Sequence, residues 1–129
     1  MDVLRNGPAD LAEQRVRWLD GRQRVLANNI ANADTPGFRP SDVTPFRQAL
    51  ATARAPMALT DARHMPPSAE RGGMRAVVDR SAVERTPNGN AVSLDIEAAR
   101  VAETDQAHAL AMGLRRKYLD LFRNALGRP

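Results

Sequence analysis

The sequence predicts a mainly α chain in which two long terminal helices pack as a hairpin, with an extended loop or a small β-hairpin between them. Three observations carry this prediction. Seven of the nine prolines fall between residues 36 and 87, so the flanks are almost free of helix breakers. Each flank carries apolar residues that step by fours and threes, the spacing of one helix face. The composition is lean: 129 residues hold three Phe, one Tyr and one Trp, and much of the 43% hydrophobic content is Ala. Aromatic side chains dominate core energetics, so an Ala-rich chain suits closely packed long helices better than a globular core.

Three sections follow from the prolines: residues 1–35 as an N-terminal helix, 36–90 as an irregular middle and 91–129 as a C-terminal helix, with both termini forming one assembly domain. The first helix is expected over Ala9–Ala33. Asn6, Gly7 and Pro8 suit its start, because proline is tolerated in the first turn. Its seam runs Ala12, Val16, Leu19, Gln23, Leu26, Ile30, Ala33, a heptad spacing with one polar interruption. Gly21 weakens the helix interior by roughly 1 kcal/mol relative to Ala. Pro36 drives Thr35 out of helical geometry, and Pro36-Gly37 suits a type II turn.

The middle supports only short elements. A helix over Phe46–Arg54 fits, and Val77, Val78 and Val83 around Asp79-Arg80-Ser81 suggest a small hairpin within Met74–Arg85. Pro87-Asn88-Gly89-Asn90 is a strong turn signal ahead of the second long helix. Ser93 serves as its N-cap, Asp95 and Glu97 complement the dipole at the start, and Arg115, Arg116, Lys117 and Arg123 do so at the end. The helix reaches about Leu126, stopped by Gly127 and Pro129.

This helix carries two apolar stripes. One runs from Leu94 through Val101, Met112, Leu119 and Phe122 to Leu126; the other holds Ala107, Ala111, Leu114, Tyr118, Leu121 and Ala125. One stripe suffices for a single partner helix, so the second implies burial against neighbouring chains. Ile30, Leu26, Leu19, Leu119 and Leu126 are expected to carry the intrachain seam, and Asn28, Asn32, Leu114, Tyr118 and Leu121 the contacts between subunits.

Charge and composition narrow the function classes. The net charge of +4 is dispersed: residues 1–34 hold five basic and five acidic groups, 35–90 eight and five, 91–129 six and five. A small basic helical nucleic-acid-binding protein is the rival reading from charge, yet no basic stripe with interleaved aromatics appears. Balanced charge on the first helix likewise disfavours a membrane-surface helix. Without cysteine there is no disulfide framework, thiolate zinc site or cysteine nucleophile. No cleavable signal or membrane span is apparent, so passage out of the cytoplasm would need a route other than a Sec-type signal.

Catalysis finds no acid–base constellation. His64 lies between Arg63 and Met65 in a Pro-rich loop, and His108 lies on an apolar stripe where a packed or interface histidine is expected. Gly72-Gly73 lacks the strand and lysine of a phosphate loop. No enzyme, cofactor or metal site is predicted.

The most distinctive stretch is Asn28-Asn29-Ile30-Ala31-Asn32-Ala33-Asp34-Thr35-Pro36-Gly37-Phe38. Asn28 and Asn32 share one helix face. Two readings stand side by side: the amides bond to adjacent chains and fix register, or they form a solvated helix end leading into a turn. This stretch resembles the signature near the N-terminus of flagellar rod and hook axial proteins, and its Ala-Asp-Thr-Pro-Gly form followed by an aromatic is most similar to the proximal-rod branch. Gly89-Asn90-Ala91-Val92-Ser93-Leu94-Asp95-Ile96-Glu97 resembles the opening of that family's C-terminal helix, with Gly89, Asn90, Val92, Leu94 and Glu97 as the matching positions. Asp42-Val43 with Phe46, and Leu59-Thr60 with His64, agree with intervening segments; Val101-Ala102-Glu103-Thr104 and His108 depart from the common pattern.

The resemblance implies a structural subunit of the flagellar basal body, built on an antiparallel coiled-coil hairpin of its terminal helices. It implies self-assembly into the proximal rod, export unprocessed through the flagellar type III apparatus, and a place in the periplasm. The implied partners are other copies, other rod proteins, a rod-base adaptor protein and the membrane ring protein. A different rod component is the nearest alternative within the family.

Overall fold

The computed structural model describes residues 7–54, 74–82 and 85–127. Its elements in chain order are α1 (Pro8–Ala31), β1 (Ser41–Val43), α2 (Phe46–Arg54), β2 (Ala76–Val78) and α3 (Leu94–Ala125). The chain is thus mainly helical with one small sheet. The calls on His64, Gly72-Gly73, Leu59-Thr60, Val83 and Pro129 lie outside the described residues.

The helix limits follow from their end signals. Pro8 occupies the first turn of α1 with Gly7 as N-cap. Asn32 caps the other end, its N–H donating to the carbonyls of Asn28 and Asn29 at 3.2 and 3.1 Å. Phe38 N then donates to Thr35 O at 3.2 Å with Gly37 at φ 72°, the predicted type II turn. α3 starts after Ser93, whose side chain makes no capping bond, and ends on Gly127 at φ 65°. The short helix α2 falls on the predicted residues.

α1 and α3 lie side by side in opposite directions: Asn29 meets Glu97, Arg22 meets Glu103 and Asp20 meets His108. Ala12, Leu19 and Leu26 are buried on α1, and Glu97, Thr104 and Ala111 on α3. Leu19 and Leu26 lose all but 1% of their exposure, each contributing on the order of 2 kcal/mol of apolar burial.

The seam differs from the expected one at three residues. Ile30, Leu119 and Leu126 are exposed, at 40%, 43% and 75%. On α1 the alternate layer facing α3 is polar: Arg22 and Asn29 occupy it, where apolar counting placed Gln23 and Ile30. Leu119 and Leu126 follow Tyr118, which lines a cleft together with Pro8 at the start of α1.

The sheet also differs from the expected local hairpin. Asp79 and Ser81 do form the turn, with Ser81 N donating to Asp79 Oδ1 at 2.8 Å. Yet β2 pairs antiparallel with the distant β1, Ser41 opposite Val78 and Val43 opposite Ala76. β1 wins because it is already fixed to α1: the Asn29 amide holds Ser41, and the Trp18 indole N–H donates to Thr44 O at 2.9 Å. A core of Trp18, Leu19, Val43, Ala49 and Ala111 gathers α1, β1, α2 and α3, with Phe46 edge-on to Trp18 at 6.0 Å.

Candidate assembly interface and its clasp

The two sequence motifs meet at one end of the helix pair and lock together through two buried carboxamides. Asn29, fully buried, donates from Nδ2 to Ser41 O at 2.7 Å and to Glu97 Oε2 at 2.9 Å, and accepts from Ser41 N at 3.0 Å. Asn90, 2% exposed, donates to Asn32 O at 2.9 Å and Thr35 O at 2.6 Å, and accepts from Val92 N at 2.8 Å. Each amide thereby satisfies backbone groups at a helix end or strand that water cannot reach. Ala91 N donates to Phe38 O and Gly37 N to Asn88 O, both at 3.0 Å. Gly89, at φ 80°, packs against Gly37: a Cβ on Gly89 would lie 3.5 Å from Gly37 Cα.

Ion pairs extend the clasp. Arg22 makes a two-pronged contact with Asp42, both distances 3.0 Å, and reaches Glu103 at 3.3 Å. Arg100 bridges Glu97 at 3.1 Å and Asp79 at 2.5 Å. Burial tends to lower the pKa of both arginines, but their carboxylate partners outweigh it and hold them above the ordinary value. Hydrogen bonds from Ser81, aided by Arg100, hold the Asp79 carboxyl below the ordinary range against the opposing effect of burial. Two of the arginines behind the net positive charge are therefore committed to intrachain pairs. His108 Nε2 sits 3.1 Å from Asp20 Oδ1 at the α1–α3 boundary.

The remaining motif residues turn outward or lie at the rim. Asn28 is exposed and Asn32 half-buried; Asn32 Nδ2 donates to Asn28 O at 2.8 Å, so these amides also tie the helix end to itself. Ile30, Asp34, Thr35, Pro36 and Leu94 are exposed, whereas Ala33, Phe38 and Val92 are half-buried. Sequence reasoning gave Asn28 and Asn32 the contacts between subunits and named Asn29 and Asn90 only as motif residues; the two buried amides are Asn29 and Asn90. The signal that finds Asn29 is its spacing of three from Leu26 and seven from Arg22, on the face that α3 covers.

Along the length of α3, apolar side chains flank the buried seam on both sides. Ile96, Leu110, Leu114 and Leu121 lie exposed on one flank, Leu94, Met112 and Leu119 on the other; Tyr118 is half-buried. Among the described residues no helix is long and apolar enough to cross a membrane.

A helix pair clasped at one end by buried amides, with bare apolar flanks along its longer helix, defines a structural helical protein whose surface is suited to packing. A family model described as flagella basal body rod protein matches residues 19–39, the end of α1 and its turn. The flagellar basal body rod protein FlgB of Agrobacterium fabrum is 32% identical over 109 residues, covering 81% of this chain and 81% of that protein. FlgB of Escherichia coli K12 is 30% identical over 100 residues, covering 70% and 72%. FlgB of Yersinia enterocolitica is 33% identical over 90 residues, covering 64% and 66%. The chain belongs to the FlgB family of flagellar basal body rod proteins. It is a structural component of the rod that associates with other flagellar components, and not an enzyme.

Proposed function

We propose that the chain self-assembles into the proximal rod, where it links the inner-membrane ring to the distal rod and transmits torque through packed helices. The observation that carries this reading is the pair of uncovered apolar flanks on α3, with Leu114 and Leu121 on one side and Met112 and Leu119 on the other. Exposed apolar surface on both sides of one helix supports burial between two neighbours. In this reading residues 1–35 and 91–129 are the assembly helices, joined as an antiparallel coiled coil, and 36–90 is the irregular middle segment. Glu97, Asn29 and Asn90 set the register of the pair, while Asn28, Asn32, Leu114, Tyr118 and Leu121 meet adjacent subunits. Partners are other copies, other rod proteins, a rod-base adaptor and the membrane ring, reached in the periplasm after export through the flagellar type III apparatus without a cleaved signal.

The test is a clean gene deletion followed by electron microscopy of isolated basal bodies and soft-agar motility. Rings without rods and loss of swimming, both restored by the gene in trans, are expected. Intact rods in the deletion strain would overturn the assignment.

A further inference from the structure

Asparagine followed by glycine is the pair most prone to losing its side-chain amide, because the glycine has no side chain to shield the backbone nitrogen that attacks. Two such pairs occur, Asn6-Gly7 and Asn88-Gly89, and the second lies inside the clasp. The reaction needs the Gly89 N–H proton removed and the Asn88 carboxamide free to turn its Cγ towards that nitrogen. The clasp withholds both. Gly89 N donates to Thr86 O at 2.8 Å. Asn88 Oδ1 accepts from the Thr86 hydroxyl and from Asn90 N, the latter at 3.1 Å. The Asn88 carbonyl is held in turn by Gly37 N at 3.0 Å, and Gly89, at φ 80°, packs against Gly37. Asn88 itself is exposed, so water and hydroxide reach it, and hydrogen bonds rather than burial stand between it and reaction.

We propose that Asn88 is a deamidation site gated by the clasp: the closed clasp protects it, and in an open chain the residue converts and prevents the clasp from closing as before. In the open chain the Gly89 nitrogen attacks Asn88 Cγ. The Cγ–Nδ2 bond breaks, and the proton lost from Gly89 N is returned to the departing amide, so that ammonia leaves. Water then opens the cyclic succinimide at either carbonyl, and no other reactant is needed. One product is aspartate at position 88. The other is isoaspartate, in which the backbone runs through the former side-chain carbon.

The two products differ in consequence. Aspartate keeps an oxygen that accepts from Thr86 and Asn90. Isoaspartate lengthens the backbone by a methylene between Thr86 and Asn90, whose N–H to O contact of 2.9 Å closes this turn. Asn90 then loses the placement from which it reaches Asn32 O at 2.9 Å and Thr35 O at 2.6 Å. Chains that stay open are thus lost to the clasped fold. The gate requires only the clasp and holds whatever the outcome of the rod reading.

The full-length chain is to be incubated in mildly alkaline buffer, folded and in guanidinium chloride, then digested with trypsin, which releases residues 86–100 as one peptide. Conversion of this peptide from amide to acid, followed by mass, is expected to run at least roughly tenfold slower in the folded chain. Thr86→Val, which removes the hydroxyl bond to Asn88, should raise the folded rate with helicity unchanged. Ser93→Ala, a nearby side chain that makes no capping bond, should leave it alone. Hydrogen exchange then separates the products: the isoaspartate chain should lose protection at the Gly37 and Ala91 amides, and Asn88→Asp should keep it. Equal rates in the folded and denatured parent would overturn the gate. Parent-like protection in the isoaspartate chain would overturn its effect on the clasp.

Discussion

The Asn29 side chain bonds to Ser41 as a neighbouring strand would, accepting from its N–H and donating to its carbonyl, and its remaining N–H goes to Glu97. Removing the amide leaves a buried carboxylate with fewer partners and takes the partner from the Ser41 N–H and carbonyl. Asn29→Ala should therefore cost about 3 kcal/mol, read as a lowered urea midpoint, whereas Asn28→Ala on the exposed side should stay within about 0.5 kcal/mol. Equal effects of the two substitutions would contradict the assignment of the buried role to Asn29. Asp79, held by hydrogen bonds from Ser81 and then by Arg100, adds a pH signature. The Asp79 carboxyl is held below its ordinary value in the folded chain, so the stability it contributes is complete above about pH 3.9 and is lost as pH falls through the depressed folded value. Asp79→Asn should flatten that acid limb of the stability–pH profile and leave the limb above pH 5 parallel to that of the parent. An acid limb unchanged by the substitution would mean that Asp79 does not set it.

At the scale of elements, the sequence revealed what local chemistry controls. Pro8, Pro36, Asn88-Gly89 and Gly127 mark the ends of α1 and α3 because each imposes a backbone geometry by itself. The seam between the helices was only half legible. Ala12, Leu19 and Leu26 announce themselves by apolarity, but Arg22 and Asn29 face α3 as polar residues because acceptors from β1 and α3 await them there. No pattern in α1 alone carries those acceptors. The partner of β2 was hidden for the same reason: a strand of three residues takes its pairing from whichever edge the rest of the chain has already fixed. Gly21 illustrates how an element-level judgement changes with tertiary context. Alone it weakens α1, yet a Cβ at this position would lie 2.1 Å from Met74 Cε, just ahead of β2. Gly21→Ala should thus gain about 1 kcal/mol of helix propensity in a Met74→Ala background and less than that, or nothing, in the parent chain. A double-mutant cycle in urea measures the difference, and additive effects would show that Met74 does not occupy the slot.

On the scale of the whole molecule, the division of labour between the two ends of α3 decides what the surface is for. The clasp end spends its polar groups inside the chain, and so depends on no neighbour for its register. Beyond the core cluster, Leu119, Leu121, Phe122 and Leu126 of α3 are exposed among the described residues. Leu121, 53% exposed, separates folding from assembly. A carboxylate there meets only water in the free chain, so Leu121→Asp should leave helicity unchanged and stability within about 0.5 kcal/mol of the parent. Buried between subunits, the same carboxylate would lose its hydration without a partner, at a cost sufficient to block a contact formed many times over. Cells carrying Leu121→Asp should therefore make and retain the protein yet show basal bodies without rods and no spreading in soft agar. Leu19→Asp, at a position 1% exposed, provides the contrast, because it should unfold the chain itself and lower its abundance. Normal rods in the Leu121→Asp strain would remove this flank from the interface. Rod loss with the protein folded and abundant would assign the bare flank to a neighbouring subunit.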